Sequence, residues 1–293
     1  MSWRVVVISH SAKLEYKMEY LLVRQEEITR IHLSEIGVLI IESTAVSITA
    51  SLLAELVKHK IKVIFCDERR NPLSELIGYY GSHDTSDKVR SQVNWPAEIK
   101  QRVWTEIVRE KISKQRDFLS DLAKPIEASL LTGYIQEIQP GDVTNREGHA
   151  AKVYFNAIFG KDFSRTAEIP WNAALNYGYS ILLSVFNREI TANGYITQLG
   201  LFHANMFNPF NLGSDLMEPF RILMDRAVYA LKPEKFEHAE KMLMIDVLNE
   251  EVWVENRKNV VNAAIRLYCR SVFEALEAQD ISLLRFYRRE GGV

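Results

Sequence analysis

The chain has 293 residues, of which 47% are hydrophobic and 25% charged, a composition typical of a folded globular protein rather than a disordered one. Its length exceeds what one hydrophobic core usually serves, which favours two domains. The formal net charge of −2 excludes a uniformly basic nucleic-acid-binding protein, so any nucleic-acid site must arise from local segregation of charge.

Cysteine usage and hydropathy bear on the compartment. Cys66 and Cys269 form no CxxC pair and have no close metal-ligand spacing, which predicts a reduced, cytoplasmic protein. The apolar run near the start is too short for a secretion signal, and no segment reaches the roughly eighteen apolar residues of a membrane span. We therefore expect no membrane partner.

Residues 1–78 predict a β-rich domain with one covering helix. Short apolar or alternating runs, bounded by turn-forming or charged residues, predict strands at 3–9, 19–25, 26–33, 37–43 and 61–67. Residues 45–60 change period, because Leu52, Leu53 and Leu56 recur at helical spacing. Lysines near the end of this segment suit the carboxyl end of a helix.

Residues 79–88 predict a linker, since turn-forming Gly, Ser and Asp are frequent there. An alternative is that Gly-Tyr-Tyr-Gly at 78–81 ends one more strand. From residue 89 to 293 the pattern is helical, with helices predicted at 97–123, 148–160, 171–194, 215–231 and 254–280, and a helix combined with a short strand at 235–252. The predicted fold class is α+β: a β-rich, β-sandwich-like domain followed by an all-α catalytic domain.

One helical segment is basic. Residues 88–116 contain eight Lys or Arg and three Glu, a local balance of +5 in a chain of net charge −2. Such a segment, which includes Lys111 and Lys114, is a candidate phosphate-facing surface. The alternative is a solvated helix face held by i,i+4 ion pairs.

Candidate chemistry lies in acids and imidazoles, because the chain contains no P-loop, G-x-G-x-x-G, H-E-x-x-H or G-x-S-x-G motif. Three islands stand out in the helical half: NREGHAAKVYF (145–155), LGLFHANMFNPFN (199–211) and GSDLMEPFR (213–221). In the first, Glu147 is either an acid that complements a helix dipole or a ligand. In the second, His203 is either a core histidine or a metal ligand.

The third island places Asp215 and Glu218 three residues apart, on one side of a helix if the segment is helical. Asp215 has an alternative role as a helix N-cap, with Pro219 tolerated in the first turn. Two neighbouring carboxylates repel each other unless a cation or proton compensates. One imidazole with two or three carboxylates suits Mg²⁺ or Mn²⁺, and a phosphodiester is the natural substrate beside a basic helix.

Taken together and in this order, the islands resemble the CRISPR-associated adaptation integrase, the larger of the two proteins that insert new spacers into a CRISPR array. HSAKLEYKMEYLLVR and VIFCDERRNP resemble the family's β-domain, and NREGHAAKVYF, WNAALNYGYSILL, LGLFHANMF and SDLMEPFR its helical catalytic domain. The resemblance covers essentially the whole chain. LGSDLMEPFR is most similar to the branch associated with type II-A systems.

The resemblance implies that the divalent metal, Mg²⁺ or Mn²⁺, is held by Glu147, His203 and Glu218. Glu218 departs from the family pattern, in which Asp is common, by one methylene. Asp215 matches a second acidic position that orients a ligand or water. The resemblance further implies DNA contacts by residues that flank the ligands or lie in the matching motifs: Arg146, Lys152, Tyr177, Asn205 and Arg221.

The function implied by the resemblance is integration of captured double-stranded DNA into the CRISPR repeat by transesterification, with hydrolysis as a side reaction. The implied assembly is a homodimer bridged by a small ferredoxin-like adaptation protein in a hetero-hexamer, with the type II effector nuclease and a ring-shaped accessory protein as collaborators. Two alternatives remain: a metal-dependent DNA nuclease without integration, and a non-catalytic DNA-binding scaffold.

Overall fold

The structure is a computed structural model that describes residues 4–76, 78 and 82–289. Its amino-terminal part holds two four-stranded sheets and one helix, α1. The elements in chain order are β1 Arg4–Ile8, β2 Ala12–Lys17, β3 Tyr20–Arg24, β4 Ile28–His32, β5 Ile36–Ile41, β6 Val46–Ile48, α1 Ala50–Lys58, β7 Lys62–Cys66 and β8 Pro72–Leu76.

The first sheet has the order β1-β5-β7-β8, in which β1, β5 and β7 are parallel and β8 is antiparallel to β7. All six residues of β5 are buried. Leu39 and Ile41 face the amino-terminal core, whereas Val38 and Ile40 belong to the core of the helical part. Both faces of the strand are therefore covered, which explains why its sequence is a continuous apolar run rather than an alternating one.

The second sheet has the order β4-β3-β2-β6 and packs against the first. Leu14 and Leu21 from this sheet share one core with Val6 of β1. Strand β2 is absent from the strands predicted from sequence. It pairs with β3 through a turn at Met18 and Glu19, which both adopt positive φ. Such turns are usually marked by Asn-Gly or Asp-Gly, and this signal is absent here.

The predicted helix over 45–60 divides into two elements. Val46–Ile48 forms β6 and pairs in parallel with β2, and α1 begins only at Ala50. Thr49 provides the boundary, because its hydroxyl accepts a hydrogen bond from the Leu52 amide at 3.3 Å as an N-cap. The β-branched run before Thr49 explains why helix does not extend further back.

The carboxyl-terminal part is mostly helical and is built around two long helices, α3 and α6. The predicted α+β class is confirmed, with the addition of a β9–β10 hairpin within the helical part. Its elements are α2 Thr85–Asn94, α3 Ala97–Asp121, α4 Pro125–Glu137, α5 Arg146–Phe159, α6 Pro170–Ala192, α7 Asn211–Leu216, α8 Arg221–Leu231, α9 His238–Asp246, β9 Glu251–Val254, β10 Arg257–Val260 and α10 Val261–Ala278.

The predicted linker, 79–88, overlaps helix α2, which begins at Thr85. Residues 79–81, and with them most of the Gly-Tyr-Tyr-Gly alternative, lie outside the described residues. The proposed domain limits at 78 and 89 remain predictions. Within the described ranges, no helix combines the length and hydropathy needed to cross a membrane.

Candidate active site

Glu147 lies in the first turn of α5, and neighbouring side chains hold the backbone of that turn by hydrogen bonds. The Asp142 carboxylate accepts the backbone amides of Arg146 and Glu147 at 2.8 and 3.0 Å, and Asn145 accepts that of Gly148 at 3.2 Å. These bonds satisfy amides that would otherwise lack partners at a helix start. The acidic first turn predicted from sequence is therefore present, and the N-cap of α5 is Asn145.

Asp215 organises the loop that carries His203. Its fully buried carboxylate accepts the backbone amides of Leu201, Phe202 and His203 at 2.6, 3.0 and 3.2 Å. The same carboxylate lies 2.5 Å from Nδ1 of the His203 ring. This hydrogen bond raises the pKa of His203 and leaves Nε2 as the ring nitrogen available to a ligand.

Glu218 is not in the same helix as Asp215. Helix α7 ends at Leu216, and Glu218 begins a short 3₁₀ turn that precedes α8. Asp215 is thus near the end of a helix, not its N-cap, and the predicted helix over 215–231 is interrupted. Pro219 has a structural reason to be there, because the first residues of a helical turn need no hydrogen-bonded amide.

The side chain of Lys111 joins the two glutamates. From α3, its ammonium group pairs with the carboxylate of Glu147 and lies 2.5 Å from Oε2 of Glu218, while Arg221 Nε lies 2.9 Å from Oε1 of Glu218. Burial alone raises the pKa of Glu218, but Arg221 and Lys111 outweigh it and lower that pKa to about 2. Glu218 is therefore a carboxylate at neutral pH.

The donor atoms of the predicted ligands suit a divalent cation. Glu147 and Glu218 already converge on one positive charge, and Oε2 of Glu218 is buried with an ion pair but no well-aligned hydrogen bond. Two carboxylates and one imidazole are donors suited to Mg²⁺ or Mn²⁺. The residues fit such a cation in chemistry, although no three acids, histidines or cysteines form a closed ligand cluster within the described chain.

A cavity of about 250 Å³ opens beside the two glutamates. Arg165, Tyr179 and Asp225 line it together with Lys111 and Arg221. The Arg221 guanidinium lies 4.6 Å from the centre of the Tyr179 ring, in the range of a cation–π contact. Arg165, Tyr179 and Asp225 are not among the site residues predicted from sequence, because they lie outside the three islands at 145–155, 199–211 and 213–221.

The predicted DNA contacts divide according to exposure. Lys152 and Asn205 are exposed, and Arg221 lines the cavity. Arg146 pairs with Glu137 at 3.0 Å. Tyr177 is buried at the junction with the first sheet, so its partner in the NYGY motif, Tyr179, is the tyrosine beside the site.

Lys111 and Lys114 do not form an exposed phosphate-facing surface. Lys111 is only 8% exposed and is paired with both glutamates. Lys114 pairs with Glu110 and donates to the carbonyl of Tyr287 at 2.9 Å. The positive balance of residues 88–116 therefore includes two lysines that serve internal pairs. Glu110–Lys114 is an i,i+4 ion pair of the kind the alternative predicted, although the Lys114 side chain is only 12% exposed.

Comparison with known proteins gives one consistent result. The family described as "CRISPR associated protein Cas1" matches residues 5–251. A CRISPR-associated endonuclease Cas1 of Neisseria meningitidis serogroup C (strain 8013) is 35% identical over 271 residues, which cover 90% of this chain and 89% of that protein.

Solved structures agree on the fold. A casposase bound to integration product has a TM-score of 0.75 at 19% identity and covers 96% of this chain and 92% of its own. A chain of a partial Cas6-RT-Cas1–Cas2 complex has a TM-score of 0.69 at 17% identity, with coverage of 99% and 100%. The family match and the identity to the Neisseria protein over nearly the whole chain show that this chain belongs to the Cas1 family.

Proposed function

We propose that the protein is a metal-dependent DNA integrase and endonuclease of CRISPR adaptation. The observation that carries the proposal is the convergence of Glu147 and Glu218 on one positive charge, together with a histidine that Asp215 orients. Electrostatic contributions from both glutamates raise the pKa of His203, in addition to the larger effect of its bond to Asp215. Glu147 and Glu218 therefore lie together at one site, and the proposal adds His203 as the third ligand.

The reaction proposed is attack by the 3′-hydroxyl of a captured DNA fragment on a phosphodiester of the CRISPR repeat. One P–O bond forms as another breaks, so no nucleotide cofactor is required. A divalent cation held by Glu147, His203 and Glu218 would stabilise charge on the phosphoryl oxygens and lower the pKa of the attacking hydroxyl. Water in place of the 3′-hydroxyl gives hydrolysis, which accounts for an endonuclease activity.

The remaining residues prepare the site. Asp215 fixes the tautomer of His203 by accepting the Nδ1 proton, so that Nε2 is the donor atom. Arg221 and Lys111 keep Glu218 ionised. Arg221 and Arg165 line the adjoining cavity and offer fixed positive charge to a phosphate of the bound strand.

The proposed assembly follows the family and the names of its structural relatives. We propose a homodimer that works with a small ferredoxin-like partner in a hetero-hexamer and binds double-stranded DNA. A type II-A origin, with its effector nuclease and ring-shaped accessory protein, rests on the LGSDLMEPFR motif alone.

A strand-transfer assay tests the proposal. The protein and its small partner are mixed with a short duplex that has free 3′-hydroxyl ends and with a supercoiled plasmid that carries a repeat, in Mn²⁺, in Mg²⁺ and in EDTA. We expect metal-dependent joined product that Glu147→Ala, His203→Ala and Glu218→Gln each abolish while the protein stays folded. Cleavage without joining would instead indicate a simple nuclease, and binding without either reaction a scaffold.

A further inference from the structure

The loop between His203 and α7 presents two large apolar side chains to solvent. Met206 is 86% exposed and Phe207 is 85% exposed. They are adjacent in sequence, and they follow a predicted metal ligand by three and four residues. Single exposed apolar side chains are common on protein surfaces, but two adjacent large ones that project from a loop form a candidate contact surface.

A network of asparagines holds this loop in one conformation. Asn205 Oδ1 accepts the backbone amide of Phe207 at 2.9 Å, and Asn208 Oδ1 accepts that of Phe210 at 2.9 Å. Asn211 closes the loop onto Asn205, since its side chain accepts the Asn205 amide at 3.3 Å and donates to the Asn205 carbonyl at 3.0 Å. Met206 and Phe207 are therefore displayed by a braced turn, which lowers the entropy cost of a contact.

The start of the loop is braced as well. The Phe202 ring stacks on Trp104 with centres 4.7 Å apart and planes 4° apart, and the His203 ring meets Trp104 edge-on at 5.8 Å. Together with the bonds from Asp215, these contacts fix the loop to the candidate active site. The positions of Met206 and Phe207 relative to His203 are set by the same framework.

The surroundings of the two side chains suit nucleic acid. A groove of about 810 Å³ lies along the loop. The described residues that line it include no Asp or Glu, whereas they include Lys100, His203 and the amide side chains of Gln92, Gln198, Asn205, Asn208 and Asn211. Amides and a lysine beside apolar side chains such as Met and Phe are the set with which proteins enter the minor groove and separate stacked base pairs.

We propose that Met206 and Phe207 form a wedge that enters the base stack of the target DNA beside the reacting phosphate. The proposal rests on the proposed function, because it is His203 that places the phosphate next to this loop. An extended chain of three to four residues spans about 10–14 Å, and base pairs are stacked about 3.4 Å apart, so the wedge acts within about four base pairs of the reacting phosphate.

A fluorescent base tests the wedge directly. The probe is a branched duplex that imitates the joined product, with 2-aminopurine at successive positions on either side of the junction. Unstacking of this base increases its fluorescence. We expect the wild-type protein with its small partner to increase the fluorescence at one or two positions within the stated distance, and Met206→Ser/Phe207→Ser to lose the increase and to bind the duplex about 10-fold more weakly.

The controls separate the wedge from general effects. Ile126→Ser/Leu130→Ser removes a second pair of exposed apolar residues, on α4, and should behave as wild type. Glu147→Ala, which lies outside this loop, should lose strand joining and retain the fluorescence increase on the branched duplex, because that duplex is already joined. Joining by wild type without any fluorescence increase, or an unchanged increase in the Met206/Phe207 variant, would overturn the wedge while leaving the proposed function intact.

One more outcome would identify a different occupant. If the Met206/Phe207 variant binds and unstacks DNA as wild type does but no longer assembles as a dimer or with its small partner, the two side chains contact protein and the wedge is wrong. Failure of every protein to join strands in any metal, with unstacking preserved, would instead overturn the integrase proposal.

Discussion

The ammonium nitrogen of Lys111 lies 2.5 Å from Oε2 of Glu218 and pairs at the same time with the carboxylate of Glu147. Burial lowers the pKa of Lys111, but the two carboxylates outweigh burial and raise it. One positive charge thus compensates in part for two carboxylates that would otherwise repel each other. Lys111 stabilises the pair of predicted ligands when no cation is bound between them.

The first prediction is that Lys111→Met destabilises the protein in EDTA and makes a divalent cation more stabilising. Removal of one member of a buried ion pair typically costs about 3–5 kcal/mol, because the remaining charges are left uncompensated. A cation bound by Glu147 and Glu218 restores the missing charge. The measurement is the thermal unfolding midpoint in EDTA and in Mn²⁺, for which we expect a larger Mn²⁺-dependent rise in the variant than in wild type.

Lys114→Met is the matched control for this experiment. Lys114 is also a largely buried lysine of α3, but its partners are Glu110 and the Tyr287 carbonyl. We expect it to lower the midpoint without changing the effect of Mn²⁺. Equal Mn²⁺ responses in both variants would show that Lys111 does not occupy the position of a bound cation.

The second prediction concerns Asp215, whose carboxylate holds the His203 ring and three backbone amides. Asp215→Asn removes the charge and replaces one acceptor oxygen with a donor group. Loss of a residue that orients a metal-binding histidine typically costs 10–100-fold in metal affinity or activity, and we expect about that loss here. Mn²⁺ titration and strand joining should decline together.

Asp246→Asn is the comparison for Asp215, since the exposed Asp246 carboxylate accepts a hydrogen bond from Asn249 at the surface of the helical part. It should retain both Mn²⁺ affinity and joining. If Asp215→Asn also retains both, Asp215 is not an orienting residue for His203.

The third prediction uses a glycine that the loop requires. A Cβ on Gly200 would overlap the His203 carbonyl oxygen and lie 2.7 Å from Oδ2 of Asp215. Neither atom can move without a large energetic cost, because the carbonyl oxygen is part of the backbone and the carboxylate oxygen is fixed by hydrogen bonds. We expect Gly200→Ala to displace the His203 loop and to abolish strand joining nearly as completely as His203→Ala.

Gly133→Ala provides the contrast on helix α4. A Cβ at Gly133 would meet nothing within 4 Å. Alanine is the better helix former by about 0.8–1.0 kcal/mol, so this change should stabilise the protein and leave joining unaltered. Joining at the wild-type rate by Gly200→Ala would mean that the loop relaxes without consequence, contrary to the close packing of Gly200 against His203 and Asp215.

Sequence patterns predicted the strands and helices that a local signal marks, such as an apolar run or a helical period. The buried strands β5 and β7 were evident as apolar runs, and α3 from its helical period. Strand β2 was missed because its turn at Met18 and Glu19 depends on positive φ without the usual residues. The pairing of β2 with β3 and β6 is a tertiary contact, and no local sequence pattern indicates it.

The candidate site divides in the same way. Glu147, His203 and Glu218 are predicted as ligands from motifs and a family resemblance, whereas Lys111 is predicted to lie on a DNA-facing surface. A lysine on a long amphipathic helix has the same local pattern whether it points to solvent or to two glutamates 36 and 107 positions further along the chain. Likewise, Tyr177 and Tyr179 differ in their surroundings, because α6 turns one toward the first sheet and the other toward the cavity.

The fourth prediction is a pH dependence that originates at Asp225. This carboxyl is 2% exposed and accepts hydrogen bonds from the hydroxyls of Tyr154, at 3.0 Å, and Tyr179. Burial raises the pKa of Asp225 to about 6, although both tyrosines act in the opposite direction. Between the ordinary value of 3.8 and about 6, the folded protein therefore holds a proton that the unfolded chain has released.

It follows that the free energy of unfolding contributed by Asp225 falls as the pH rises through this window and is constant above it. The full loss corresponds to about two pKa units, or roughly 3 kcal/mol. Asp225→Asn has no titrating group at this position. The free energy of unfolding of the variant, relative to that of wild type, should therefore increase by up to that amount between pH 4 and pH 7. Denaturant unfolding of both proteins at pH 4, 5, 6 and 7 gives the difference directly, because other titrating groups cancel. A difference that stays constant with pH would show that the buried carboxyl is ionised throughout, with the two tyrosine hydroxyls sufficient to hold its charge.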